Sequence, residues 1–303
     1  MDPEAIFVVG VSRSGTTLMR RVLNGHSRIA IATENHYLGH LLPWEGARAY
    51  FRRLGDPRDD ATMRRIAAFV YSDEFQRRSR LRELSPYWGW LTRTVPRAEL
   101  ERLLLASDRT ERGVFSVLMR LFADHKGRPI MGEKTPAHLT WVDTLLTWYP
   151  DARIVHMIRD PRGVYISEVR RRLETPTTVP YRWLVRVPQV LRAFVLLEVT
   201  WAWAVAVDRH RRLAEREPGR YMAVRFEDLV REPVATLAGM CAFLGVEPEP
   251  TMLDRTVTSK GTMQGMKGFD AGAADRWRAT IGPVPRRVIE AFLGGRMRRL
   301  GYR

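Results

Sequence analysis

Between residues 10 and 17 the chain reads Gly10-Val-Ser-Arg13-Ser14-Gly15-Thr16-Thr17. Glycines at this spacing, entering a helix, let successive backbone N–H groups wrap an anion. A nucleotide-triphosphate loop has the same glycines followed by Lys and then Ser or Thr. Here Thr16 stands at the lysine position, so the principal cation for a β/γ-phosphate is missing. Arg13 and the hydroxyls of Ser14, Thr16 and Thr17 remain as donors, which suits a smaller, less charged group. A tight strand-to-helix turn capped by Ser14 would account for the glycines, but not for their coincidence with Arg13 and two threonines.

A second constellation is Arg153-Ile-Val-His-Met-Ile-Arg159-Asp-Pro-Arg-Gly-Val-Tyr-Ile-Ser167. An Arg at the end of an apolar run offers a fixed two-pronged donor for a phosphate, and Arg171 lies one helical turn beyond Ser167 on the same face. Taken alone, Arg159-Asp160-Pro161 reads equally well as a salt bridge and turn. Glu34 and His36 are the titratable pair nearest the first loop. A Glu at a buried strand end is expected to have its pKa raised toward neutrality, which would make Glu34 a usable base; capping a helix or pairing with an Arg is the bland alternative. His36 is the rival base, since imidazole titrates near neutral pH without help. His36 and His40 are four apart with Glu34 nearby, but without a third firm ligand the reading is no metal site. Lys occurs only at 126, 134, 260 and 267. Lys134, before Pro136, can place a compact charge on a leaving oxygen, or it is a surface lysine in a turn.

On these residues the sequence resembles the sulfotransferases that use 3′-phosphoadenosine-5′-phosphosulfate (PAPS), in the form shared by tyrosylprotein sulfotransferases and many bacterial members. Arg13-Ser-Gly-Thr-Thr-Leu-Met19 is similar to their 5′-phosphosulfate loop. The resemblance puts the 3′-phosphate on Arg159 and Ser167, with Arg171 as a third contact. Gly132-Glu-Lys134-Thr-Pro136 resembles the lysine segment of the family. Phe226-Glu-Asp-Leu-Val resembles a Tyr-Glu-Asp-Leu strand end, with Phe226 in place of the usual Tyr and so without its hydroxyl. Asp275-Arg276-Trp277-Arg278 resembles a C-terminal Arg-Trp turn, whose basic residue, here Arg276, reaches the 3′-phosphate. What this implies is sulfuryl transfer to a hydroxyl or amine by in-line displacement. Glu34 would be the base, Lys134 and Arg13 would stabilise the leaving phosphate, and adenosine 3′,5′-bisphosphate would be the product, with no metal required. Nucleotide contacts are expected from Arg13, Ser14, Gly15, Thr16, Thr17, Arg159, Ser167, Arg171 and Arg276.

Two rivals fall behind. A P-loop kinase or NTPase is disfavoured by Thr16 and by having Asp160 as its only candidate magnesium carboxylate. An Arg-rich nucleic-acid-binding protein would explain 50 Lys+Arg against 34 Asp+Glu, a formal charge of +16 over 303 residues. The basic residues are, however, spread along the chain and interleaved with acids, with no recognised nucleic-acid module. Hydrophobic content of 45% excludes a disordered chain, and a single cysteine, Cys241, excludes a disulfide scaffold. The acidic N-terminus is not expected to act as an export signal. The most apolar stretch, Phe194 to Val207, is shorter than a bilayer span and is expected to be a buried helix. A cytoplasmic enzyme without stable membrane insertion is therefore expected. Its acceptor would be a small molecule, carbohydrate or lipid, and a homodimer remains open.

The elements that must position these residues follow from periodicity. Ala5 to Val9, Ile29 to Ala32, Arg153 to Arg159 and Tyr221 to Phe226 are short apolar runs. Helical spacing follows the first loop, begins near Val164, covers about 182 to 215 with Pro188 breaking or starting a segment, and runs from 233 to 244 with a stop at Gly245. Strands alternating with helices give an α/β fold with a parallel sheet flanked by helices. The resemblance makes it P-loop NTPase-like. One domain over 1–303 is expected, with a helical insertion at about 39–128. Residues 39–128 and 176–215 match no motif and are where acceptor specificity is expected.

Overall fold

The computed structural model describes residues 4–39, 45–81, 86–174, 183–254 and 268–303. His40, Lys260 and Lys267 lie outside them. Five strands form one parallel sheet: β1 (Ile6–Gly10), β2 (Ile29–Ala32), β3 (Ile130–Lys134), β4 (Arg153–Ile158) and β5 (Tyr221–Arg225), in the order β2-β3-β1-β4-β5. β1 is central and wholly buried, as expected for a continuous apolar run in a sheet covered on both faces. Its alternate residues enter different cores. Phe7 and Val9 join a cluster with Phe115, Leu118 and Tyr149, while Ile6 and Val8 join Met19, Leu23, Met240 and Cys241. Sequence periodicity missed β3, whose Gly132, Glu133 and Lys134 are too polar to stand out as a buried strand.

The crossover from β2 to β3 is long and contains the helices Ala47–Arg52, Asp60–Val70, Asp73–Leu81, Pro86–Thr94, Arg97–Ala106 and Glu111–His125. An aromatic cluster joins them to the sheet. Phe75 meets Trp88 edge-on at 5.0 Å, and Tyr37 stacks on Phe115 at 5.0 Å. This packing grips the segment after β2, because Trp88 Nε1 donates to the Asn35 carbonyl (3.0 Å) and Tyr37 Oη to the Glu111 carbonyl (2.9 Å).

Element boundaries follow local chemistry. The helix expected near Val164 starts at Pro161, where a missing N–H costs nothing and the Asp160 carboxylate accepts from Arg162 N (2.8 Å). Pro188 opens the Pro188–Arg216 helix for the same reason. Gly245 ends the Pro233–Leu244 helix at φ 72°, a left-handed cap that favours glycine. β5 stops at Arg225, and Phe226 begins a short helix to Arg231. The stretch from Phe194 to Val207 is only half buried, which corrects the expectation of a core helix. Val195, Val199, Trp203 and Ala206 face the core, whereas Leu197 is 69% and Trp201 51% exposed. The helix that carries it is long and apolar enough to cross a membrane by length and composition. Its inner face packs against the Pro161–Glu174 and Pro283–Arg299 helices and is part of the fold.

Candidate active site

The first loop leaves β1 at Gly10 and enters helix α1 (Thr16–Leu23). A Cβ at Gly10 would lie 2.5 Å from the Met157 carbonyl oxygen, so the loop can cross β4 only as glycine. Gly15 sits at φ 92° with Phe226 close behind; a Cβ there would meet the ring at 2.6 Å. Arg13 also adopts a left-handed φ, 70°, a cost that non-glycine residues bear mainly where the surroundings enforce it. The enforcement is visible. Ser14 N donates to the Val11 carbonyl (3.2 Å), and Arg159 Nη1 donates to the Arg13 carbonyl (3.0 Å).

That second bond joins the two constellations. Arg13 Nε also donates to Ser167 Oγ (3.1 Å), so the first loop is tied to both ends of the second signature, 146 and 154 residues away in sequence. Arg159 is fixed on every side: Nη2 donates to the Ala273 carbonyl (3.1 Å), the guanidinium lies 4.2 Å over the Phe226 ring, and the Arg159 carbonyl accepts from Trp203 Nε1 (2.8 Å). Burial holds its pKa down at about 10, with Glu227 partly offsetting the loss, so it remains a cation at neutral pH. Arg13 is likewise lowered by burial, with Glu168 opposing and Arg171 and Arg170 adding to the shift. Arg171 is thus electrostatically coupled to Arg13, and it pairs with Glu168 at 3.6 Å. Two buried donors in this cradle have no hydrogen-bond partner, Ser14 Oγ and Arg159 Nε. Orphaned donors at a helix start beside two cations are what an anionic group would satisfy. Arg276 is ion-paired with Asp270, and Ala273 of the same turn accepts from Arg159.

On the other side of the loop, the ends of β2 and β3 bring Glu34 and Lys134 together. Lys134 Nζ donates to Glu34 Oε1 and lies 3.3 Å from Thr17 Oγ1. His36 Nε2 is 3.5 Å from Glu34 Oε2. Burial pushes the Glu34 carboxyl up, but Lys134 and then His36 outweigh it and hold the group well below the usual carboxylate range. The expected upward shift is therefore reversed, because Lys134 and His36 together outweigh the desolvation.

Sequence reading missed the frame behind this pair. His36 adopts φ 47°, and the chain is held around it by Glu133. Glu133 Oε1 accepts from Asn35 N (3.2 Å) and from Thr135 Oγ1, while Oε2 meets His138 Nδ1 at 3.1 Å. His138 Nε2 accepts from Leu38 N at 3.3 Å. Alternation in β3 was the available signal, since it turns Glu133 and Lys134 to opposite sides. A second missed brace is Arg162, which binds Asp160 through Nε (3.0 Å) and Nη2 (2.7 Å) and also reaches Glu290 (2.7 Å). Glu227 accepts from Asp160 N (3.0 Å) and Tyr302 Oη (2.9 Å). Asp160 is thus a structural carboxylate, which removes the only magnesium candidate of the kinase reading. Among the described residues no group of three or more His, Cys, Asp or Glu could hold a metal ion.

A parallel sheet whose central strand runs through a glycine loop into a helix defines a P-loop-like fold. A model of the sulfotransferase family matches residues 3–250, and the chain belongs to that family. Among relatives, a Caenorhabditis briggsae protein named "Putative protein-tyrosine sulfotransferase" is 22% identical over 254 residues, covering 82% of this chain and 68% of its own. Mouse carbohydrate sulfotransferase 5 is 27% identical over 178 residues, covering 50% of this chain and 42% of its own. In fold, the chain is similar to the sulfotransferase domain from the curacin biosynthetic pathway (TM-score 0.58, 21% identity, 99% of this chain and 98% of that one). It is also similar to the sulfotransferase domain of the Synechococcus PCC 7002 olefin synthase (TM-score 0.56, 22% identity, 96% and 95%).

Proposed function

We propose that this sulfotransferase moves the sulfuryl group of PAPS to a hydroxyl or amine of a small-molecule, carbohydrate or lipid acceptor. One observation carries the reading: Arg13 and Arg159 are locked to each other's segments beside orphaned donors, while Glu34 and Lys134 meet at the same loop through Thr17. PAPS would bring the activated sulfuryl group and a phosphate leaving group. The backbone and hydroxyls of residues 13–17 would hold its 5′ end, and Arg159, Ser167 and Arg171 its 3′-phosphate.

Sulfuryl transfer needs an aligned acceptor, a base and a stabilised leaving oxygen, so positioning and charge do most of the work. Glu34 is already ionised and can accept the acceptor proton. Its low pKa makes it a weak base while Lys134 holds it. An anion on the Thr17 side would compete for the Lys134 ammonium, relieve Glu34 of its main stabilising charge and raise its basicity. Lys134 would then neutralise the leaving oxygen, with Arg13 sharing that role. His36, 3.5 Å from Glu34, would orient the acceptor or relay the proton. The β2–β3 crossover and the region after Glu174 would select the acceptor.

The test has two arms. Calorimetry should show tight binding of adenosine 3′,5′-bisphosphate and none of ATP with magnesium. Incubation with labelled PAPS and cell extract, read by mass spectrometry, should yield a sulfated product. Equal binding of the two nucleotides, or no product from any extract fraction, would remove the reading.

A further inference from the structure

The outer face of the Pro188–Arg216 helix carries apolar side chains with no role in the core. Val187, Val190, Phe194, Leu197 and Trp201 recur at intervals of three, four, three and four residues, which places them on one stripe of a helix. Each is exposed, Leu197 the most, and Trp183, just before the helix, is 64% exposed. The stripe spans about 21 Å from Val187 to Trp201 at 1.5 Å per residue. Among the described residues the other large exposed apolar side chains, Val234, Val284 and Phe292, are on other helices. A contiguous apolar stripe on an Arg-rich surface marks an interaction face rather than ordinary surface scatter.

The charges at its two ends select the partner. Arg186 lies just before Val187, and Arg212 lies about three helical turns past Trp201, in line with the stripe. Both are exposed, and among the described residues neither is in an ion pair. Arg186 stacks on Trp183 at 4.6 Å. Of the acids nearby, Glu198 faces Arg172 at 3.5 Å, and Asp208 pairs with Arg296 at 2.9 Å while also feeling Arg211 and Arg212; Glu215 beyond them is outnumbered by those two exposed arginines. An apolar stripe with tryptophans at both ends and a net excess of exposed arginines beyond them fits the boundary of an anionic bilayer. There the rings sit at headgroup level and the guanidinium groups meet lipid phosphates. The same 3–4 spacing would fit a second copy of the helix. Paired along its length, that copy would set Arg186 against Arg212 when antiparallel, and each against its own counterpart when parallel. Both chains would also carry +16. Charge complementarity favours the membrane.

We infer that this face seats the protein on the surface of an anionic membrane, without spanning it. The same helix supplies Trp203 to the Arg159 carbonyl and Glu198 to Arg172 beside the Ser167–Arg171 turn. A membrane under the outer stripe would therefore lie about one helix diameter, roughly 10 Å, from the candidate active site, and an amphiphilic acceptor could be drawn from it. That consequence rests on the transfer reading; vesicle binding does not.

The experiment is co-sedimentation of the full chain with vesicles of phosphatidylglycerol and phosphatidylcholine, against vesicles of phosphatidylcholine alone, at low and high salt. At least tenfold tighter binding to the anionic vesicles is expected, weakened by salt. Trp fluorescence should shift to the blue on binding. Leu197→Glu should abolish binding, and Arg186→Glu with Arg212→Glu should weaken it by about tenfold or more, since each basic side chain near an anionic surface is worth about fivefold. Adenosine 3′,5′-bisphosphate affinity unchanged in these variants would show that they fold. The inference is overturned by equal binding of Leu197→Glu and wild type, by no vesicle binding at all, or by a dimer in sedimentation velocity that Leu197→Glu dissociates.

Discussion

The two flanks of the anion loop hold their cations in opposite ways. On the β4 side, Arg13 and Arg159 are fixed by neutral acceptors, a serine hydroxyl and two backbone carbonyls. Their charge is not cancelled at contact. On the β3 side, Lys134 is neutralised by Glu34. If the first flank takes an anion as proposed, little rearrangement is needed on binding. The second is a charge pair that an arriving anion must open, and opening it is what would release a base. Under the proposed transfer, one flank binds and the other reacts.

The sharpest way to break this contrast is Glu34→Gln. Turnover should fall by about a thousandfold, within the range for loss of a positioned base, while adenosine 3′,5′-bisphosphate affinity stays within about threefold by calorimetry. Unchanged turnover would eliminate Glu34 as the base and bring His36 forward. Arg159→Ala should do the reverse. Affinity for the 3′-phosphorylated nucleotide should drop by about ten- to a hundredfold, as for a lost charged hydrogen bond. Adenosine 5′-phosphosulfate, which lacks that phosphate, should be much less affected; equal losses would show that Arg159 does not read the 3′ position.

Lys134→Ala is predicted to lower turnover by about tenfold or more, with a smaller effect on binding. It should also move the pH profile in a set direction. Lys134 is the largest influence lowering the Glu34 pKa against the opposing burial, so removing it raises that pKa. A base works only when deprotonated, and activity is lost as pH falls through its pKa. The acid limb of the rate profile should therefore move to higher pH in the variant. A limb that stays in place would mean that another group limits the rate. The smallest effect belongs to Gly15→Ala. With φ at 92° and Phe226 in the way, a destabilisation of about 1–3 kcal/mol is expected, read as a lower Tm, and nucleotide binding should weaken with it.

The degree to which this was legible in sequence differs between residues. The loop at 10–17 and the Arg159–Ser167 segment are local patterns, and the chemistry of each can be read from consecutive residues. β1, β2, β4 and β5 were visible as apolar runs. β3 was not, because its polar Glu133 and Lys134 are buried against partners that include Asn35 and Glu34, about 100 residues away. Phe226 shows the same limit. Sequence marks it as a missing hydroxyl, whereas the structure makes it the platform beneath Arg159 and the wall behind Gly15. Arg276 was marked by its pattern; its ion pair with Asp270 is a tertiary feature that the pattern does not carry.

The sequence by itself determined which groups could carry the chemistry: an anion loop without its lysine, an arginine and serine eight residues apart, a rare lysine and a glutamate. Folding decided their state. Glu34 is ionised rather than neutral because a lysine from another strand reaches it, and Arg13 and Arg159 are locked because each finds an acceptor on the other's segment or beside it. The apolar run after Phe194 is half surface because only one side of its helix has a core to meet. Each outcome depends on distances between segments far apart in the chain. Electrostatic energies and burial are set by those distances, not by neighbours in sequence.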